Sequence, residues 1–196
     1  MSDRVLPALV AVLLGGLVVV LGAIPFVARS YRRDGELRAG RVVLVVATAV
    51  YAMALVAYVI LPLPADAAAA CTRFAGASVP QLQPFRFVED ARREAGGTGA
   101  AALLGNPAVL QVLFNVALFV PLGALLRYSR RVPVPLAGLA GLAVSLLVEF
   151  TQLTGNWFLH PCPYRLFDVD DLIANTAGAL LGALAAPLLR LLPGQR

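Results

Sequence analysis

The chain has 196 residues, of which 60% are hydrophobic and only 14% are charged, and its mean hydropathy is +0.82. A soluble domain sits nearer half apolar and a quarter charged, so soluble globular, disordered and fibrous classes are all excluded. The net charge of +5 does not argue for nucleic-acid binding, because its arginines flank long apolar runs, where basic residues mark the cytoplasmic ends of membrane spans.

Five stretches are long enough to cross a bilayer, at about 20 apolar residues each. Each must be helical, since lipid offers no partner to backbone N–H and C=O groups. The first is expected at roughly Val5 to Ala28. Its apolar run is too long for a signal-peptide core, and Arg29, Arg32, Arg33, Arg38 and Arg41 follow it. It is therefore expected to remain as a helix with its N-terminus outside. The second span is expected at roughly Val42 to Leu63. A long loop at about 64–107 follows, in which Arg73, Arg86, Arg92 and Arg93 are balanced by Asp66, Glu89, Asp90 and Glu94. That balance places it outside. Gly96, Gly97 and Gly99 make part of it flexible.

The third span, about Ala108 to Leu126, opens on Asn106 as N-cap and Pro107 in the first turn. Pro121 within it frees a carbonyl one turn back. The short loop after it carries Arg127, Arg130 and Arg131 and is expected in the cytoplasm. The fourth span is about Val134 to Leu153, and the loop beyond it has Arg165 as its one arginine and is expected to face outward. The fifth span, about Asp171 to Leu192, returns the C-terminus to the cytoplasm beside Arg190 and Arg196. The expected fold is an all-α integral membrane bundle of about five transmembrane helices. It divides into residues 1–41, the first helix and a cytoplasmic loop, and 42–192, a membrane domain that includes the outer loop.

Polar residues break the apolar pattern at one depth. Asp168, Asp170 and Asp171 crowd the N-terminus of the fifth span, where the helix dipole favours carboxylates and one of them can cap free N–H groups. Three acids in four residues, with Arg165 beside them, exceed what a cap needs. Asn175 lies one turn below Asp171 on the same face. The fourth span carries Glu149 and Gln152 near its end, with Ser145 one turn below Glu149, and the third carries Gln111 and Asn115. At about 1.5 Å per residue, Glu149 and Asn175 each lie roughly 6 Å inside the outer boundary, and Asn115 roughly 10 Å.

An ionisable residue inside a span is expensive and usually faces protein or water, which makes it a candidate functional site. On that reading Glu149 and Asp171 are the candidate catalytic groups. Asn115, Gln152, Arg165, Asp168 and Asn175 are candidate binding groups. The plainer reading is an interhelical hydrogen-bond clamp of Glu149, Asn175 and Asn115 that only holds the bundle together. Ala174, Gly178, Gly182 and Ala186 recur every fourth residue and form a small-residue seam, which packs a helix within the bundle or, through Gly178 and Gly182, a second copy.

The two cysteines, Cys71 and Cys162, both fall in expected outer loops, where a disulfide persists. A Cys71–Cys162 disulfide is therefore expected, tying the long loop over the polar cluster. Two unpaired cysteines near the interface are the alternative, since sequence cannot show that the Cα atoms come within about 7 Å.

Three blocks carry a resemblance: "NVALFVPLG" (Asn115 to Gly123), "SLLVEFTQ" (Ser145 to Gln152) and "RLFDVDDLIANTAGALLG" (Arg165 to Gly182). With "LQPFRF" (Leu82 to Phe87) before them, they resemble the VanZ-like family over roughly Tyr51 to Ala185. The resemblance implies a multi-pass protein of the bacterial plasma membrane. It associates the founding member with low-level resistance to teicoplanin, a glycopeptide that acts on cell-wall precursors, and implies no established reaction. By motif match it points to Asn115, Pro121, Gly123, Glu149, Gln152, Arg165, Asp168, Asp171, Asn175 and Gly178.

Other chemistry is weaker. His160 is a lone loop histidine without a serine or cysteine nucleophile beside it. No Gly-rich phosphate loop is present, and no cofactor is expected. A divalent ion on Asp168, Asp170, Asp171 and Glu149 is chemically reasonable, but capping explains part of the same cluster, and no metal site is assigned. Arg165 can grip a phosphate or carboxylate, or equally pair with Glu149 or an aspartate. The expected function is an envelope role at the outer leaflet, acting on membrane lipids, a lipid-linked or cell-wall precursor, or a glycopeptide. The alternative is a non-catalytic scaffold or partner of envelope enzymes.

Overall fold

The structure, a computed structural model, describes residues 28, 31–32, 35, 39–60, 71–72, 79–94, 105–159, 161–163 and 165–191. The chain divides into two compact units, Met1–Asp66 with Leu191–Arg196, and Ala67–Arg190. In the first, helix α1 (Ala39–Ile60) covers most of the expected second span. The expected first span, Val5 to Ala28, lies outside the described residues except for Ala28.

The second unit is built on three long apolar helices. These are α3 (Pro107–Arg130), α4 (Val134–Leu153) and α5 (Val169–Ala185), and a 3-10 stretch, Ala186–Leu191, prolongs α5. All three are long and apolar enough to cross a membrane. A short polar helix, α2 (Arg86–Glu94), precedes them. No strand occurs among the described residues, so the chain is an all-α membrane bundle, with one isolated bridge between Gln81 and Asp168.

Local chemistry sets the helix ends. Asn106 caps α3, its side chain accepting from the N–H groups of Ala108 at 2.9 Å and Val109 at 3.4 Å. Its amide also donates to Ala91 O at 3.1 Å, joining the end of α2 to the start of α3. α3 runs on through Pro121, which is tolerated inside a membrane helix where neighbours re-satisfy the backbone. Arg131, with φ 55°, stops it in the left-handed conformation typical of a helix end.

The seam residues let the helix backbones touch. A Cβ on Gly182 would stand 1.9 Å from Val120 O, and one on Gly123 would stand 1.8 Å from Ala179 O. The face of α5 that carries Gly178 and Gly182 is thus filled by α3 of the same chain. α4 closes the other side, with Gly141 against the Ala179 methyl. The core beneath the site is made of small residues (Ala137, Ala174, Ala179, Ala183) around one large side chain, Phe119.

Candidate functional site

The polar side chains gather at the end of the second unit where α3 and α5 begin and α4 ends. Asp168 organises the mouth. Its extended backbone makes it the N-cap of α5, and its Oδ1 accepts from the Asp170 N–H at 2.8 Å and from Gln81 Nε2 at 3.1 Å. The Gln81 N–H donates to Phe167 O at 2.8 Å, and the Val169 N–H donates to Gln81 O at 3.0 Å, so the 79–84 segment is tied alongside 167–169. Burial pushes the Asp168 carboxyl above its ordinary range, against the Asp170 N–H, the Gln81 amide and Arg86, which favour the carboxylate.

Asp170 is buried and caps a helix other than its own. Its two oxygens accept from the N–H groups of Phe85 and, at 3.0 Å, Phe87, which are free donors at the start of α2. Asp171, one residue on, turns toward α3. Its Oδ1 accepts from Gln111 Nε2 at 3.1 Å and from Asn115 Nδ2, two amides one turn apart. Neighbouring carboxylates therefore serve three separate elements. Among the described residues no group of three or more His, Cys, Asp or Glu side chains is arranged to hold a metal ion.

Glu149 is 1% exposed, and its Oε2 accepts from the Asp168 N–H at 3.1 Å. Asn175 is equally deep and donates to Ser145 Oγ at 2.8 Å. Glu149 and Asn175 thus take different partners, where sequence reasoning grouped them with Asn115 in one clamp. Gln152, one turn beyond Glu149, is also buried. Two atoms here have no hydrogen-bond partner among the described residues, Gln152 Nε2 and Asn175 Oδ1. Arg165 is partly buried, and its charge acts on both Glu149 and Asp171. Below Asn175 and Ser145 the cluster ends abruptly, because Gly141, Gly178 and Ala179 bring the three helices into contact.

A disulfide joins Cys71 to Cys162 across 91 residues, with Cα atoms 5.6 Å apart. It ties the chain ahead of the 79–84 segment to the loop that leads into Asp168. His160 and Tyr164 lie outside the described residues.

Residues 48–190 match the VanZ/LLP1 family model, about three quarters of the chain. The chain belongs to the VanZ/LLP1 family. No curated protein and no solved structure matches it. Every member of the polar cluster, both cysteines and all of α2 to α5 lie within the VanZ/LLP1 match.

Within this VanZ/LLP1 region the structure adds Gln81 to the expected cluster and gives partners to two members, Asp170 and Gln111, that the sequence left without a binding role. Gln81 stands one position before the "LQPFRF" block, and nothing in its type marks it as the partner of Asp168. Asp170 was grouped with its neighbours, yet its partners are backbone donors 83 and 85 residues away. Gln111 shares a face with Asn115 at a spacing of four, a periodicity that does point to a common partner.

Proposed function

We infer that the polar cluster is a binding site for the head of an envelope amphiphile, opening on the extracytoplasmic side of the bacterial plasma membrane. The observation that carries this reading is a pair of unsatisfied buried amide atoms in the same cluster as Glu149. Gln152 Nε2 and Asn175 Oδ1 are buried and lack partners among the described residues, and a buried polar atom left unpaired costs about 1–3 kcal/mol. Such atoms in a native protein call for a water or a ligand. The remaining acids are spent on caps and on α3. Glu149 shares its helix with Gln152, three residues on, and with Ser145, the partner of Asn175, and the Arg165 charge acts on it. In this reading Glu149 is the ligand-pairing acid or base, Arg165 grips an anionic group, and Asn115, Asn175, Gln152 and Asp171 orient it. The close helix contacts below Asn175 support entry and exit of a ligand by the same end. A lipid-linked precursor fits that access, and a change in glycopeptide susceptibility is the cellular consequence proposed.

A second reading, a non-catalytic scaffold for envelope enzymes, is favoured by the structural partner that each of the four carboxylates has. Glu149→Gln separates the two. The amide keeps an acceptor for the Asp168 N–H and removes the ionisable group, so the fold persists. Mass spectrometry of lipid co-purified with wild type and variant should show one polar-headed amphiphile enriched on the wild type and depleted at least tenfold, about 1.4 kcal/mol of binding, on the variant. Glycopeptide susceptibility of cells expressing each should diverge in parallel. Identical lipid content and identical susceptibility would leave the scaffold.

A further inference from the structure

We propose that the turn after α4, residues 155–159, is an interfacial wedge whose aromatic side chains sit at the headgroup–acyl boundary of the leaflet facing the polar cluster. Trp157 is 54% exposed, and Phe158 and Leu159 are each 80% exposed. Three consecutive apolar side chains displayed in water would be an association liability. At a membrane boundary they are the expected residues, tryptophan above all, because its ring is apolar and its N–H is polar.

The backbone holds them outward on purpose. Thr154 Oγ1 donates to Phe150 O at 2.7 Å and accepts from the Trp157 N–H at 3.1 Å, so the turn is fastened to the last turn of α4. Gly155 has φ 61°, and Asn156, Trp157 and Phe158 have φ 59°, 59° and 66°, a left-handed run that side chains rarely adopt. This folds the Trp157 ring back onto Phe150, edge to face, with centroids 5.1 Å apart.

That contact identifies the occupant. Phe150 is itself exposed, on the flank of α4 that also exposes Leu146 and Leu147. In a helix that spans the membrane, such a flank faces acyl chains. Trp157 continues this lipid-facing strip past the last residue of the span, at the level of Phe150. Leu82 and Phe85, in the segment tied to Asp168, are exposed at the same end. The wedge sets the depth of the site, because Glu149 and Gln152 occupy the buried face of the helical turn whose exposed face carries Phe150.

Trp157 is the only tryptophan in the chain, so fluorescence excited selectively at tryptophan reports this turn alone. The full chain is reconstituted in phosphatidylcholine vesicles brominated at a shallow or a deep acyl position, with iodide as the aqueous quencher. Shallow bromines should quench Trp157 most, deep bromines less, and iodide weakly. Phe158→Ser should reduce shallow quenching and raise iodide quenching, at unchanged helical content. Strong iodide quenching with none from bromolipid would overturn the proposal in favour of a water-exposed turn. Protection from both quenchers would overturn it in favour of a second copy or another protein covering the turn, and strongest quenching by deep bromines would place the turn within the acyl region and also defeat it.

Discussion

Asp168 works in three directions: its carboxylate caps α5 and receives the Gln81 amide, and its own N–H is held by Glu149. None of these bonds needs a negative charge. Because burial raises its pKa in the fold, the folded state binds the proton more tightly than the unfolded chain. Its linked stability is therefore present below the ordinary carboxylate range and is lost as pH rises through the raised folded value. Asp168→Asn keeps the cap, since asparagine caps as well as aspartate, and removes this pH dependence. At neutral pH, thermal unfolding in detergent should find Asp168→Asn at least as stable as wild type. Asp168→Ala, which loses the cap, should lie about 1 kcal/mol below the asparagine variant. An asparagine variant clearly less stable than wild type at neutral pH would show that the charge itself holds the mouth together.

At the scale of elements the bundle rests on close backbone approach. Gly123→Ala and Gly182→Ala would each drive a methyl into a facing carbonyl, with Ala179 O 1.8 Å and Val120 O 1.9 Å from the added carbon. Helix displacement should cost about 1–3 kcal/mol or more for each, read as a lowered unfolding midpoint in detergent titration, and unchanged midpoints would mean that α3 and α5 do not pack this way. The small-residue spacing made this seam legible in the sequence, as did the Asn106–Pro107 start of α3 and the span Val134–Leu153. The partners of the polar residues were not legible. Spacing puts Asp171 and Asn175 on one face, but a modest rotation of α5 decides whether Asp171 meets Glu149 on α4 or the amides of α3. The sequence carries no record of that rotation. α2 was missed for another reason. Its apolar content is low, and its evidence is charge at helical spacing, Arg86 with Asp90 and Glu89 with Arg93, in a segment that reads as a polar loop. Exposed pairs of this kind add only about 0.3–0.5 kcal/mol each, so α2 depends more on the Asp170 cap and the Asn106 bond to Ala91 O than on its own charges.

For the whole molecule the decisive quantity is orientation, and two independent features bear on it. The Cys71–Cys162 disulfide lies at the end of the second unit where α4 stops and α5 starts, and disulfides persist on the oxidising side of a bacterial membrane. The opposite end carries the α3–α4 connection with Arg127, Arg130 and Arg131, and short arginine-dense loops stay in the cytoplasm. Redox chemistry and charge asymmetry both support the orientation proposed above, with the polar cluster outward. Cysteine probes test this while the native pair remains oxidised, provided that no reductant is added. Arg92→Cys places a thiol on an exposed position of α2, and Ser129→Cys places one on an exposed position at the far end of α3. A membrane-impermeant maleimide on intact cells should label Arg92→Cys and miss Ser129→Cys until the membrane is opened. The reverse pattern would turn the bundle over, move the candidate site to the cytoplasmic leaflet and remove the case for an extracellular ligand. Labelling of both in intact cells would show that α3 does not separate the two compartments.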